Sequence, residues 1–185
     1  NAQPAVSVVL PVYNREKLVA RAIASILDQR FEDFELIVVD DGSSDTTPAQ
    51  LEKWIGHPQV TVLQHLQNRG KGAAIRTGLA AARGQYCLVQ DADLEYDPVE
   101  YSTVIEPLRN GAGLVVYGSR YLCSRVRGGW FFRQGVRVLN LAVRLLYGQR
   151  LTDEATCYKA LPTELLRHLH LECERFEFCP EVTAK

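Results

Sequence analysis

The chain has 185 residues, 46% of them hydrophobic, with 21 basic and 22 acidic side chains and a formal net charge of −1. This composition supports a substantial core, and it excludes a disordered chain and nucleic-acid binding driven by overall charge. Five widely spaced cysteines without a Cys-x-x-Cys pair favour a reduced compartment over a disulfide framework or a zinc site.

Strands and helices alternate along the chain. Apolar runs predict strands at residues 6–12, 36–39, 60–66, 86–90 and 114–117. Helices are predicted at residues 18–27, from a capping box at Thr47, at residues 73–82, from Asp97, and from about Phe131. Such alternation predicts an α/β fold, with a mostly parallel sheet and helices on both faces.

Three acids occupy alternate positions in Asp91-Ala92-Asp93-Leu94-Glu95, directly after the fourth predicted strand. In extended backbone, alternate side chains point the same way, so Asp91, Asp93 and Glu95 are expected to converge. Oxygen ligands at the carboxyl end of a strand suit Mg²⁺ or Mn²⁺ bound together with a phosphorylated ligand. The alternative is an acidic loop that caps the helix beginning at Asp97.

A glycine-rich turn at residues 68–72 nearly matches two nucleotide-binding motifs and satisfies neither. Ile75 replaces the third glycine of the dinucleotide fingerprint, and no Ser or Thr follows Lys71 as a P-loop requires. What remains is a turn that carries Arg69 and Lys71 towards a diphosphate. The alternative is a helix-entry loop with solvated charges.

Two residues at the ends of the first two strands are candidates for contact with a nucleotide base. Asp40 follows a strongly apolar run, so we expect it to be partly buried and to need hydrogen-bond donors. The ring N–H of uracil or guanine is one such donor, and the backbone N–H groups of its own turn are the alternative. Tyr13 either stacks on the base or covers the edge of the core.

Residues 118–151 contain no Asp or Glu. They contain seven arginines: Arg120, Arg125, Arg127, Arg133, Arg137, Arg144 and Arg150. On a helix from about Phe131, three of them (Arg133, Arg137 and Arg144) fall within about 40° of one another. Trp130-Phe131-Phe132 adds aromatic side chains of the kind favoured at a lipid interface. The pattern predicts contact with an anionic membrane; a packed helix with a solvated stripe is the alternative.

Seven segments together resemble the family 2 inverting glycosyltransferases with the GT-A fold, and the second half is similar to dolichol- or polyprenyl-phosphate mannosyl- and glucosyltransferases. The segments are VSVVLPVYN, ELIVVDDGSSDTT, NRGKGAAIRTGL, QDADLEYDP, VVYGSR, LTDEATCYK and RFEFCPEVTAK. The resemblance implies a Rossmann-like fold for nucleotide-diphosphate sugars. It implies one catalytic domain at residues 1–185, with a nucleotide-binding half at about 1–95 and an acceptor-binding half at about 96–185. The last residues, 182–185, have no tail-like composition, so we expect the natural chain to continue.

The resemblance also implies residue roles. Pro11, Tyr13 and Asp40 would surround the base of GDP-mannose or a UDP-sugar. The ribose and the metal-bound diphosphate would face Asp91 and Asp93, with Glu95 as a further metal ligand. The acceptor phosphate would be held by Arg120 and Arg133, with Asp153 near the transferred sugar.

The expected reaction is a direct in-line displacement at the anomeric carbon, in which Lys71 and the cation stabilise the leaving diphosphate. A phosphate acceptor is already ionised and needs holding rather than deprotonation. A sugar or protein hydroxyl would instead need a general base, for which Asp153 is the candidate. A nucleotidyltransferase and a non-catalytic nucleotide-sugar-binding module are the alternatives of other classes. The cytosolic face of a membrane is the expected location.

Overall fold

The structure is a computed structural model that describes residues 3–93, 95–122 and 129–185. Its strands are β1 (Val6–Val12), β2 (Phe34–Asp40), β3 (Val60–Gln64), β4 (Tyr86–Val89), β5 (Val116–Tyr117) and β6 (Lys159–Pro162). Its α-helices are α1 (Val19–Leu27), α2 (Thr47–Leu51), α3 (Lys71–Ala81), α4 (Tyr101–Arg109), α5 (Trp130–Tyr147), α6 (Thr163–His168) and α7 (Phe178–Ala184). Arg125 and Arg127 of the arginine-rich segment lie outside the described residues.

The strands form one six-stranded sheet in the order β3-β2-β1-β4-β6-β5. The first four strands in this order run parallel, and β6 runs antiparallel to both β4 and β5. The mostly parallel α/β fold expected from the sequence is therefore confirmed. Because β1, β2 and β4 run the same way, the residues that follow them meet at one edge of the sheet.

The central strands are buried on both faces, as parallel strands covered by helices are. Ser7 and Glu35 are polar residues within these strands, and they pair with each other: the Ser7 hydroxyl donates to Glu35 Oε1 at 2.6 Å. Arg83 donates through its Nε to Glu35 Oε2 at 2.8 Å. Burial disfavours the charged carboxylate, but the hydrogen bonds from Ser7 and Arg83 outweigh it and lower the pKa of Glu35.

Three details of the sequence-based prediction were wrong. The third strand ends at Gln64, and Leu66 is fully exposed. The fifth strand is only Val116–Tyr117, paired with the unpredicted strand β6. Thr47 does not cap its helix, since its hydroxyl accepts a hydrogen bond from the N–H of Arg15 at 2.8 Å.

Helix α5 contacts the rest of the protein along a narrow line. Only Val136 and Val143 of its 18 residues are buried. Large apolar side chains stand exposed elsewhere on it, including Phe131 at 84% and both Leu145 and Leu146 at 75%. No helix within the described ranges is both long and apolar enough to cross a bilayer.

Candidate functional site

A cavity of about 400 Å³ opens at the edge of the sheet where β1 and β4 end. Its walls combine the end of β1, the segment after β4, the start of α3, and a segment near the end of the chain. The lining residues are Pro11, Val12, Tyr13, Arg15, Asp41, Asn68, Gly70, Lys71, Ala74, Asp91, Ala92, Asp93, Arg175 and Phe176. Basic and acidic side chains thus face one space large enough for a small ligand.

Lys71 and Asp91 form an ion pair in this cavity. Lys71 is the first residue of α3, and its Nζ donates to Asp91 Oδ2 at 2.7 Å. The Cys157 sulfur lies 3.6 Å from the same Nζ. Burial disfavours the charge on Lys71, but Cys157 and the Asp91 carboxylate outweigh it and raise the pKa of Lys71. Lys71 therefore carries a fixed positive charge at neutral pH.

The three alternate acids do not converge on one point. Ala92 and Asp93 lie in a turn rather than in extended backbone. Asp93 Oδ1 accepts a hydrogen bond from the N–H of Glu95 at 3.0 Å, whereas Glu95 Oε2 lies 3.2 Å from Nη1 of Arg120. Among the described residues, no three His, Cys, Asp or Glu side chains are grouped to hold a metal ion. Asp91 and Asp93 both line the cavity, however, and Mg²⁺ uses only one or two carboxylates when phosphate and water complete its shell.

The two aspartates that follow β2 have different surroundings. Asp40 is 1% exposed and accepts hydrogen bonds from the N–H of Ser43 at 3.1 Å and from Gln64 Nε2 at 3.2 Å. Its carboxylate is buried, as expected, but it is not part of the cavity wall. Its neighbour Asp41, which was not predicted as a site residue, does line the cavity.

Asp41 is the centre of a buried hydrogen-bond network. Its carboxylate accepts from the backbone N–H groups of Arg69 at 3.0 Å and Gly70 at 2.7 Å, and lies 2.7 Å from His65 Nδ1. His65 Nε2 lies 2.8 Å from the Thr77 hydroxyl on α3. A carboxylate can only accept, so His65 donates from Nδ1, and in the neutral imidazole Nε2 then accepts from Thr77. The network fixes the turn that leads into Lys71, while the Arg69 side chain does not line the cavity.

A second cluster surrounds Arg120. Its Nε and Nη2 donate to the two oxygens of Asp153 at 2.8 and 3.0 Å, and its backbone N–H donates to Asp153 Oδ2 at 3.1 Å. The guanidinium lies 5.3 Å from the Phe132 ring and 5.7 Å from the Tyr96 ring. Burial opposes the charge on Arg120, but its hydrogen bonds to Asp153 outweigh this effect and raise the pKa of Arg120.

The predicted site residues therefore fall into separate groups. Five line the cavity: Pro11, Tyr13, Lys71, Asp91 and Asp93. Glu95 and Asp153 contact Arg120 outside it, and Arg133 lies exposed in the first turn of α5. Arg175 and Phe176 complete the cavity wall although they belong to the second half of the chain.

Sequence reasoning gave no role to Asp41, His65, Arg175 or Phe176. The doubled aspartate at 40–41 was a usable signal for the first of these, because consecutive side chains in a strand point to opposite sides. Nothing in the spacing pointed to Arg175, which reaches the cavity only because the chain folds back across α3.

Comparison with known proteins identifies relatives. The family model described as "Glycosyl transferase family 2" matches residues 7–169. An undecaprenyl-phosphate 4-deoxy-4-formamido-L-arabinose transferase from Edwardsiella ictaluri is 31% identical, over 95% of this chain and 54% of that protein. A dolichol-phosphate mannosyltransferase from Pyrococcus furiosus is 28% identical, over 97% and 52%. The chain spans about half the length of these curated relatives.

A solved structure agrees with these matches. The mannosyltransferase from Pyrobaculum calidifontis, in complex with GDP-Man and Mn²⁺, superposes with a TM-score of 0.65 and 25% identity. The superposition covers 91% of this chain and 47% of that one.

Proposed function

The chain belongs to glycosyl transferase family 2, and we propose that it transfers a hexose from GDP-mannose or a UDP-sugar to a polyprenyl phosphate, with inversion and with a divalent cation. The observation that carries this proposal is the cavity in which Lys71, Asp91 and Asp93 face one another. Both curated relatives named above are transferases whose names include a polyprenyl-type phosphate. The donor then occupies the cavity, with Pro11 and Tyr13 beside its base.

The fixed charge of Lys71 suits a reaction whose leaving group is a nucleoside diphosphate. Negative charge grows on this group as the sugar departs, and a buried cation stabilises it without moving. Asp91 and Asp93 would hold Mg²⁺ or Mn²⁺, which supplies further positive charge to the diphosphate. Asp40 lies behind the cavity wall, where its role towards the base stays a proposal.

The surroundings of Asp153 favour a phosphate acceptor over a hydroxyl acceptor. Each oxygen of this buried carboxylate already accepts from the guanidinium of Arg120. A general base needs a free oxygen within reach of the proton that it removes. Asp153 is better placed to hold Arg120 in one orientation, so that its remaining N–H groups and those of Arg133 grip a phosphate.

Helix α5 supports a membrane-bound acceptor. Its most exposed apolar residues span about 160° of the helix, on the side opposite Val136 and Val143. They are Trp130, Phe131, Val138, Leu141, Leu145 and Leu146. The Arg133, Arg137 and Arg144 side chains border this arc, all of them exposed. Such a helix fits the interface of an anionic bilayer, with its apolar face in the lipid and its arginines at the headgroups.

Transfer is tested with a panel of GDP- and UDP-sugars, a short-chain polyprenyl phosphate and Mn²⁺. The expected products are a glycosylated lipid phosphate and a nucleoside diphosphate. Release of pyrophosphate from a nucleoside triphosphate and a sugar phosphate would instead identify a nucleotidyltransferase. Binding of a nucleotide sugar without turnover, with lipid and soluble acceptors alike, would identify a binding module.

Membrane contact is tested by cosedimentation with vesicles. Binding should be stronger to anionic than to neutral vesicles and should fall as salt rises. The double variant Arg137→Gln/Arg144→Gln should lose most of this preference. Arg21→Gln/Arg30→Gln removes the same charge from exposed positions outside α5 and is the matched control. Equal binding by both double variants would contradict the role of α5.

A further inference from the structure

Residues 172–177, here called the strap, cross the start of α3 and close one side of the cavity. The carbonyl oxygen of Arg175 accepts a hydrogen bond from the N–H of Gly72 at 3.1 Å, and that of Glu174 accepts from Ala73 at 3.0 Å. The first N–H groups of a helix have no partners within it, so the strap satisfies two of them. An anion in the cavity therefore cannot use these two N–H groups.

Two glycines permit this contact. A Cβ on Gly72 would lie 2.3 Å from the carbonyl oxygen of Cys173, and one on Gly70 would lie 2.4 Å from that of Glu174. Gly70 also has a φ of +94°, which favours glycine. The glycine-rich turn is thus explained by the close approach of the strap, and the strap has a defined position over α3.

The other end of the strap is held by α7. The Glu181 carboxylate accepts from the N–H groups of Glu172 at 2.7 Å and Cys173 at 3.0 Å, and pairs with Lys185 at 3.0 Å. Burial disfavours the charged form of Glu181, but the hydrogen bond from the N–H of Glu172 and the contact with Lys185 outweigh it and lower its pKa. The backbone before Arg175 is therefore fixed before any ligand binds.

Arg175 is a cation that faces the cavity without an acidic partner. Its side chain passes directly over Gly70, where a Cβ would lie 2.8 Å from its Cγ. Within the described part of the chain, no carboxylate forms an ion pair with it. Lys71, its neighbour across the turn, differs in being paired with Asp91. Arg175 can therefore present its positive charge and a planar set of N–H donors to an anion in the cavity.

We propose that Arg175 binds the diphosphate of the nucleotide-sugar donor, from the side of the cavity that the strap closes. This inference rests on the proposed function, since it requires a donor in the cavity. Phosphate oxygens accept two parallel hydrogen bonds from a guanidinium, which an ammonium cannot reproduce. The strap thereby makes the end of this chain part of the donor site.

The test measures dissociation constants for GDP and UDP with Mn²⁺, by calorimetry, on the whole chain. Arg175→Gln should weaken the preferred nucleotide about tenfold, the loss expected for one charge-assisted contact. Arg175→Lys, which keeps the charge, should lie between Arg175→Gln and the wild type. Melting temperatures should be unchanged in both, because the strap is held by backbone atoms rather than by the Arg175 side chain.

Two control variants separate direct contact from other effects. Arg30→Gln removes one positive charge outside the cavity wall, and Glu174→Gln alters the strap at a side chain that is also outside that wall. Each should change affinity less than about twofold. A wild type that binds neither nucleotide would overturn the proposed function and this inference with it. If the wild type binds a nucleotide and the dissociation constant of Arg175→Gln is within twofold of the wild-type value, this inference alone is overturned.

Discussion

The hydrogen bond between Thr77 and His65 gives the sharpest prediction of stability. His65 is 8% exposed, and its Nδ1 is committed to Asp41. In the neutral imidazole Nε2 is then an acceptor, which the Thr77 hydroxyl satisfies at 2.8 Å. Thr77→Val keeps the shape of the side chain and removes this donor. A buried acceptor without a partner costs about 1–3 kcal/mol, while the helix propensities of Thr and Val are nearly equal.

The measurement is the free energy of unfolding from urea titration of the wild type, Thr77→Val and Thr77→Ser. Thr77→Ser keeps the hydroxyl and loses one methyl group, for a cost of about 0.8 kcal/mol or less. We therefore expect Thr77→Val to be the less stable of the two. The reasoning is refuted if Thr77→Val unfolds within about 0.3 kcal/mol of the wild type, or if Thr77→Ser is destabilised as much.

The same pair of variants tests whether the network positions Lys71. Asp41 accepts from both the turn and His65, so a displaced imidazole should disturb the residues that precede Lys71. Well below the melting temperature, Thr77→Val should then raise the KM for the donor, and Thr77→Ser should restore it. A network that only supports the fold would leave KM unchanged in both.

Three further outcomes are expected. Asp93→Asn should abolish transfer and the effect of Mn²⁺ on nucleotide affinity without unfolding the protein; full activity in excess EDTA would contradict this. The lowered pKa of Glu35 means that its hydrogen bonds stabilise the fold above its ordinary value of 4.5, and that this contribution disappears as pH falls through the lower folded value. The free energy of unfolding of Glu35→Gln should therefore be about 1–2 kcal/mol lower than that of the wild type at pH 7. This difference in stability should become smaller at acidic pH, and a difference independent of pH would contradict the reasoning. Asp153→Asn and Arg120→Lys should each reduce transfer to polyprenyl phosphate, and the double variant should be no worse than the stronger single one; additive losses would show that the two residues act separately.

The sequence predicted the parallel strands because their burial makes them continuous apolar runs. β1 and β2 have no exposed residue, and both were found within two residues of their ends. β6 was missed because it is short and begins with a lysine. Lys159 is nevertheless fully buried, with its Nζ donating to the Glu154 carbonyl oxygen at 2.7 Å and lying 3.8 Å from the Tyr117 ring centroid. Only the folded environment makes that burial possible.

The partners of the three alternate acids could not be predicted from their spacing in the sequence. Alternate acids fix the distances among themselves but not those to cations elsewhere in the chain. Lys71 is 20 residues from Asp91, and Arg120 is 25 residues from Glu95. A partly buried carboxylate pairs with a nearby cation, because burying an unpaired charge raises the free energy of the folded state. Of the three acids expected at one metal ion, Asp91 therefore pairs with Lys71, Glu95 pairs with Arg120, and Asp93 lines the cavity.

The acidic segment after β4 joins the cavity to the Arg120 cluster, and the proposed reaction needs both. Asp91 belongs to the cavity through Lys71, and Glu95 belongs to the Arg120 cluster. Four peptide steps span at most about 14 Å, so the donor cavity and the Arg120–Asp153 pair are close neighbours. In the proposed reaction, a sugar at one end of this segment would be within reach of a phosphate at the other. If the donor binds in the cavity and the acceptor phosphate at Arg120, as proposed, the acidic segment after β4 sets the distance between them.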